Sequence, residues 1–177
     1  MYSNDFEEIY NQYSDKVYSY LFLLVKNKEL AEDLTQETFY KAYKKRNTFK
    51  SESNISTWLI KIGRNLTYDF FRRKKLLKFL PIEKYQEKSI YNETPPEILI
   101  KGEEVEMVYR AINSLKLEYQ EVIILRKIKE FSIKETSTIL GWSEVRVKNT
   151  TVRAIAALRK NLSEKGAAFD ENFIEIG

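Results

Sequence analysis

The sequence contains no cysteine and no histidine. Without cysteine there is no disulfide and no thiolate metal site. Without both, the usual zinc centres and the Ser-His and Cys-His nucleophile systems are excluded. Glycine and proline are scarce, five and three in 177 residues. With abundant Leu, Ile, Lys and Glu, that scarcity points to a mostly helical chain. No Gly-rich phosphate loop of the P-loop or dinucleotide type is present. Long apolar runs are also lacking. The most apolar early stretch, VYSYLFLLV at 17–25, is far too short to span a bilayer. The N-terminus, MYSNDFEEIY, has neither the basic n-region nor the apolar stretch of a secretory signal. The expectation is a soluble, cytoplasmic protein with no direct membrane insertion, not an enzyme, with no catalytic residues, no metal and no cofactor.

What is present is charge, unevenly placed. Net charge is +4. Residues 57–80 carry seven Lys/Arg against one Asp, and residues 144–165 carry six against two Glu. Residues 28–37 carry one Lys against four acids. Two basic patches and one acidic patch predict more than one kind of partner, with nucleic acid among them.

All three prolines fall at 81, 95 and 96. The stretch PIEKYQEKSIYNETPP between them is polar and poorly periodic, which predicts a linker. The expected fold class is all-α: two small helical domains on a flexible linker, an N-terminal domain over 1–80, a linker over 81–102, a second domain over 103–165 and a tail over 166–177. In the first domain, Phe6, Ile9, Tyr13, Val17, Leu21, Leu24 and Val25 recur by threes and fours, and Asn27 is the expected break. A second helix follows from about Glu29 to Lys45, with Leu30, Ala31, Leu34, Thr38, Ala42 and Tyr43 inward. A polar loop, FKSESNIS, precedes a long helix that Ser56 or Thr57 caps, with Trp58, Leu59, Ile62, Leu66 and Phe70 as its apolar stripe.

The second domain carries a sharper local signature. Amphipathic helices are expected over 103–113 and 117–129. Residues 131–162 then read as helix, tight turn, helix. Ser132 and Glu135 have capping-box spacing, and Gly141 suits a left-handed stop. Ser143 starts a basic helix with Val145, Val147, Val152, Ile155 and Leu158 as apolar positions. This is a helix-turn-helix without a wing, within a four-helix domain.

Three stretches carry candidate chemistry, and each has a bland alternative. Arg146, Asn149, Thr150 and Arg153 share one helical face, with Lys148 nearby. They suit base edges and phosphates, or a merely solvated face. The helix over 57–80 interleaves Trp58, Tyr68, Phe70 and Phe71 with Lys61, Arg64, Arg72, Arg73, Lys74 and Lys75. This suits single-stranded nucleic acid, although Trp58 and Phe70 on the apolar stripe also suit core, and a basic C-terminal run complements the helix dipole. Finally, DLTQETF at 33–39 sets Asp33, Gln36 and Glu37 on one face. On the residues alone, solvation and the helix dipole explain such a face more readily than a docking role does.

The three in this order resemble a known family. AEDLTQETF (31–39), STWLIKIGRNLTYDFFRRKK (56–75), LKLEYQEVIILRKIKEFSIKETSTILG (115–141) and the basic helix after it are similar to bacterial RNA polymerase sigma factors of the extracytoplasmic function group, over roughly residues 5–162. The resemblance implies a transcription initiation factor with a region 2-like domain, a linker and a region 4-like domain. Asp33, Gln36, Glu37 and Tyr40 would dock on the β′ clamp helices of core RNA polymerase, and the second domain would meet the β flap. Phe49, Lys50, Ser51, Asn54, Arg64, Asn65, Arg72, Arg73 and Lys74 would hold the −10 element, with a base flipped into the loop before Trp58. Arg146, Lys148, Asn149, Thr150 and Arg153 would read the −35 element. An anti-sigma factor, often membrane-bound in the family, is an implied partner alongside promoter DNA.

The chain departs from the family pattern at the recognition helix. SEVRVKNTTVRA stands where SxGTVKSRLxRA is usual, so Val145 and Arg146 replace Gly and Thr. The alternative is a free-standing helix-turn-helix regulator, which gives DLTQETF no role. An adaptor using the acidic face alone leaves both basic patches without purpose.

Overall fold

Side-chain caps at Asn27, Asn54, Ser132 and Ser143 start four of the described helices. The computed structural model describes residues 2–49, 54–77 and 94–164, and the chain divides into two units, Met1–Glu93 and Thr94–Gly177. Among the described residues there are eight α-helices and no strand, in agreement with the all-α expectation.

In the first unit, α1 (Tyr2–Val25) ends where Lys26 turns the chain with φ of 54°. Asn27 was the expected break. It does lie between the two helices, and it is also the N-cap of α2 (Lys28–Lys44), its Oδ1 accepting the Leu30 N–H at 2.7 Å. α3 (Ile55–Leu77) starts on Asn54, whose Oδ1 accepts the Ser56 N–H at 3.0 Å. Neither Ser56 nor Thr57 is the cap: both are buried inside the first turn, and the Ser56 hydroxyl has no hydrogen-bond partner.

α1, α2 and α3 pack pairwise. Their common core holds Val17, Tyr20, Leu21, Leu34, Phe39, Leu59, Ile60 and Leu66. Tyr43, expected inward, is exposed, and Phe39 takes the buried place. The inward stripe of α3 is rotated from the expected one. Leu59, Ile60, Gly63, Leu66 and Thr67 are buried, while Trp58, Ile62 and Phe70 are only partly covered. Buried threonines are satisfied within their own helices: Thr35 donates to Ala31, Thr38 to Leu34 and Thr67 to Gly63.

In the second unit, Pro96 opens a short helix, α4 (Pro96–Ile100), inside the stretch expected as linker. Proline suits a first helical position, where its missing N–H would be unpaired anyway. The rest of the expected linker up to 93, and the tail 166–177, lie outside the described residues. α5 (Glu103–Asn113) and α6 (Leu117–Ile123) follow. The second expected helix does not run unbroken to 129: a π-turn, Ile124–Ile128, widens it. Lys129 N–H reaches Ile124 carbonyl at 2.8 Å, Phe131 N–H reaches Leu125 carbonyl at 2.9 Å, and Arg126 donates to the Phe131 carbonyl.

α7 (Ile133–Leu140) and α8 (Glu144–Glu164) complete the unit, both packed on the α6 segment or its π-turn. The capping box forms in both directions: Ser132 Oγ accepts the Glu135 N–H at 3.1 Å, and Glu135 Oε2 accepts the Ser132 N–H at 2.8 Å. Gly141 closes α7 at φ of 67°, a backbone that glycine adopts without Cβ strain. Ser132→Ala is expected to cost about 1 kcal/mol. Urea unfolding of the full chain measures it, with Ser132→Thr expected to retain most of the stability.

Candidate functional site

α2 sorts its side chains cleanly. Leu34, Thr35, Thr38 and Phe39 are buried, whereas Asp33, Gln36, Glu37 and Tyr40 are exposed and lie at i, i+3, i+4 and i+7. The structure therefore brings all four candidate docking residues onto one solvent face. Glu37 is held by Lys41 at 3.3 Å, and Lys44 sits over the Tyr40 ring at 4.3 Å. Such exposed pairs are worth only a few tenths of a kcal/mol and yield easily to a partner. Beneath the face, Phe6 and Tyr10 from α1 meet the Phe39 ring edge-on at 6.3 and 4.8 Å, bracing α2 against α1.

On α3, the face away from the core carries Trp58, Asn65 and Arg72, seven residues apart and thus nearly in line. Phe49 leans on Trp58 with ring centroids 5.0 Å apart and planes tilted by 45°. Trp58 is therefore a half-exposed platform at the foot of the loop, not core. Arg64 folds over the Tyr68 ring at 4.3 Å, and Arg72 pairs with Asp69 at 3.0 Å. Asn54, Asn65, Arg72 and Arg73 are exposed. Lys74 is half-covered and, two residues on from Arg72, lies on the far side of the helix. Lys50 and Ser51 lie outside the described residues. Trp58 was not among the expected strand-holding residues; its heptad spacing sets it in line with Asn65 and Arg72.

On α8, Arg146, Lys148, Asn149 and Arg153 are exposed, and Thr150 is partly so. Arg146, Asn149, Thr150 and Arg153 line one cleft, together with Lys116, Glu118 and Tyr119 from the start of α6. Lys148 is not part of it. Arg146 is held twice: its Nη2 donates to Glu118 Oε1 at 2.9 Å, and its guanidinium stacks on Trp142 at 3.9 Å. Neither Glu118 nor Trp142 was singled out from sequence: the Glu118 contact spans 28 residues, whereas the Trp142 contact is local and its spacing to Arg146 was the available signal. Val145 and Val152, expected as apolar packing positions, are instead exposed, and Val147 is the buried one. Among the described residues, burial lowers the pKa of Lys26 and raises that of Tyr109; neither belongs to these faces.

The models of two families match the chain: Sigma-70 region 2 over residues 9–76 and Sigma-70, region 4 over residues 105–158. The chain is 32% identical over 161 residues to the ECF RNA polymerase sigma factor SigX of Bacillus subtilis, covering 89% of this chain and 83% of that protein. It is 34% identical over 160 residues to the RNA polymerase sigma factor YlaC of the same organism, covering 89% and 92%. Among solved structures, the sigma factor RpoE of Bartonella quintana, in complex with the anti-sigma factor NepR, superposes with a TM-score of 0.69 at 25% identity over 90% of this chain and 97% of that one. CnrH, in complex with the cytosolic domain of CnrY, shares the fold with a TM-score of 0.65 at 22% identity, over 90% of this chain and 88% of that one.

Proposed function

The chain belongs to the extracytoplasmic function group of RNA polymerase sigma factors, initiation factors that direct RNA polymerase to promoters, and on that premise we propose how its faces divide the work. The α2 face, Asp33, Gln36, Glu37 and Tyr40, docks on the β′ clamp helices of core polymerase. The second unit meets the β flap. The α3 face holds the −10 element as an opened strand, with Phe49, Asn54, Asn65 and Trp58 around a flipped base and Arg64, Arg72 and Arg73 on its backbone; Lys50 and Ser51 complete the set, and Lys74, across the helix from Arg72, falls outside it. Arg146, Lys148, Asn149, Thr150 and Arg153 hold the −35 duplex.

The observation that carries this division is the exposed quartet on α2, set over a buried Leu34, Thr38 and Phe39. A free-standing operator-binding regulator has no use for it. The Bartonella quintana sigma factor RpoE is held in complex with the anti-sigma factor NepR, which supports a similar partner for this chain. We place its action in the cytoplasm with the polymerase, under a membrane-bound anti-sigma factor. Among the described residues no helix is long and apolar enough to cross a membrane. The test is in vitro transcription from genomic fragments. Core polymerase with this chain is expected to start at discrete sites that core alone does not use. Tight duplex binding by the chain alone, with no effect on core polymerase, would favour the operator-binding regulator.

A further inference from the structure

α8 shows two valines to solvent that its packing does not need. Val145 is 65% exposed and Val152 70%. The buried side of the helix is already supplied by Val147, Ala154, Leu158 and Leu162. A β-branched residue at an exposed helical position loses side-chain freedom and lowers helix propensity, so neither valine serves the helix itself. Val145, Asn149 and Val152 follow i, i+4, i+7 and form one stripe. Arg146 and Arg153 run beside it, and Val145 lines the same cleft as Arg146, Asn149 and Arg153. The first turn carries local contacts: Ser143 Oγ accepts the Arg146 N–H at 3.2 Å, and the Arg146 side chain rests against Glu118 and Trp142.

An apolar stripe edged by arginines fits a duplex major groove. The cations take phosphates, and the one apolar group that a base pair offers there is the thymine 5-methyl. An apolar protein surface would instead strip water from two arginines without compensation. We propose that Val145 and Val152 are specificity-determining residues that pack on thymine methyl groups of the −35 duplex, with Asn149 between them placed to pair with adenine. This rests on the −35 reading of α8 and adds the bases it selects. The valines are seven residues apart, about 10 Å along the helix, or roughly three base-pair steps.

The experiment uses holoenzyme made from the full chain and core polymerase. A preferred −35 sequence is first selected from a randomised pool. Each thymine is then replaced singly by deoxyuridine, which removes only the methyl, and competition binding is measured. Wild type is expected to lose about fourfold at each of two thymines about three pairs apart, the transfer value of one methyl-sized group. Val145→Ala is expected to abolish the dependence at one of them and Val152→Ala at the other, with every other base preference intact. Both positions are exposed and alanine favours helix, so both variants fold. Wild type indifferent to every deoxyuridine, or sensitivity unchanged in both variants, overturns the proposal. Sensitivity lost in one variant only withdraws the other valine. A pool that yields no −35 preference at all brings down the −35 reading itself, and this proposal with it.

Discussion

Asp33→Lys combined with Glu37→Lys is expected to weaken binding to core RNA polymerase by about a hundredfold or more, while the chain stays fully helical. Both side chains are exposed on α2, and the only described tie on either is the Glu37–Lys41 pair at 3.3 Å, itself exposed. Removing them therefore costs the free protein a few tenths of a kcal/mol. In a docked complex the same carboxylates are desolvated against cationic or polar groups. Breaking one such pair costs about 2–5 kcal/mol, and reversing its sign adds repulsion. The side that builds the unit, Leu34, Thr38 and Phe39, is untouched. Equilibrium binding of labelled chain to core polymerase gives the affinity, and circular dichroism gives the helicity. Glu103→Lys with Glu104→Lys makes the same change in net charge on an exposed turn of the other unit and serves as the control. Equal affinity for wild type and the α2 variant would show that this face does not dock. Equal losses in the α2 variant and the control would show that bulk charge, not this face, sets the affinity.

The second large effect is expected at Gly63, where the three helices of the first unit meet. A Cβ there would stand 3.0 Å from Thr38 Oγ1 and 3.2 Å from Leu21 Cδ2. Thr38 is fully buried, and its hydroxyl is tied to the Leu34 carbonyl at 2.6 Å, so it cannot retreat without losing that bond. Alanine gains about 1 kcal/mol in helix propensity and loses a comparable amount to crowding. Valine adds two further methyls and no propensity gain over alanine. Gly63→Val is expected to cost about 3 kcal/mol, which lowers the melting temperature of this unit by roughly 12–24 °C. The chain has two tryptophans, Trp58 in the first unit and Trp142 in the second. In a Trp142→Phe background, Trp58 fluorescence follows the first unit alone. A melting temperature within about 3 °C of the parent would mean that α1 and α2 do not approach α3 at this point.

Much of this protein was legible in its residues because the signals are short-ranged. Ser132 with Glu135 and Gly141 with its left-handed turn act over one helical turn, so the helix-turn-helix could be placed without knowing its neighbours. DLTQETF sorts itself by helical period alone, which is why Asp33, Gln36 and Glu37 could be set on one face from sequence, while Tyr40 joins them through the family resemblance. The failures are as specific. Ser56 and Thr57 read as caps of α3, yet Asn54 starts that helix and both are buried in its first turn. On α3 the large aromatics Trp58 and Phe70 drew the apolar stripe toward themselves, while the structure buries Ile60 and Gly63. On α8 one valine of three is buried.

By itself, the sequence determined the helical class, the two-part organisation, the turn chemistry and the family. Each of these depends on composition or on groups within a few residues of one another. Only the tertiary structure decided which side of α3 packs on α1 and α2, that Gly63 is the point where Thr38 and Leu21 close in, and that Glu118 pairs with Arg146. Those facts depend on residues 25, 42 and 28 positions apart in the chain for the Thr38, Leu21 and Glu118 contacts. Packing of whole helices brings such residues together, and no local propensity encodes it.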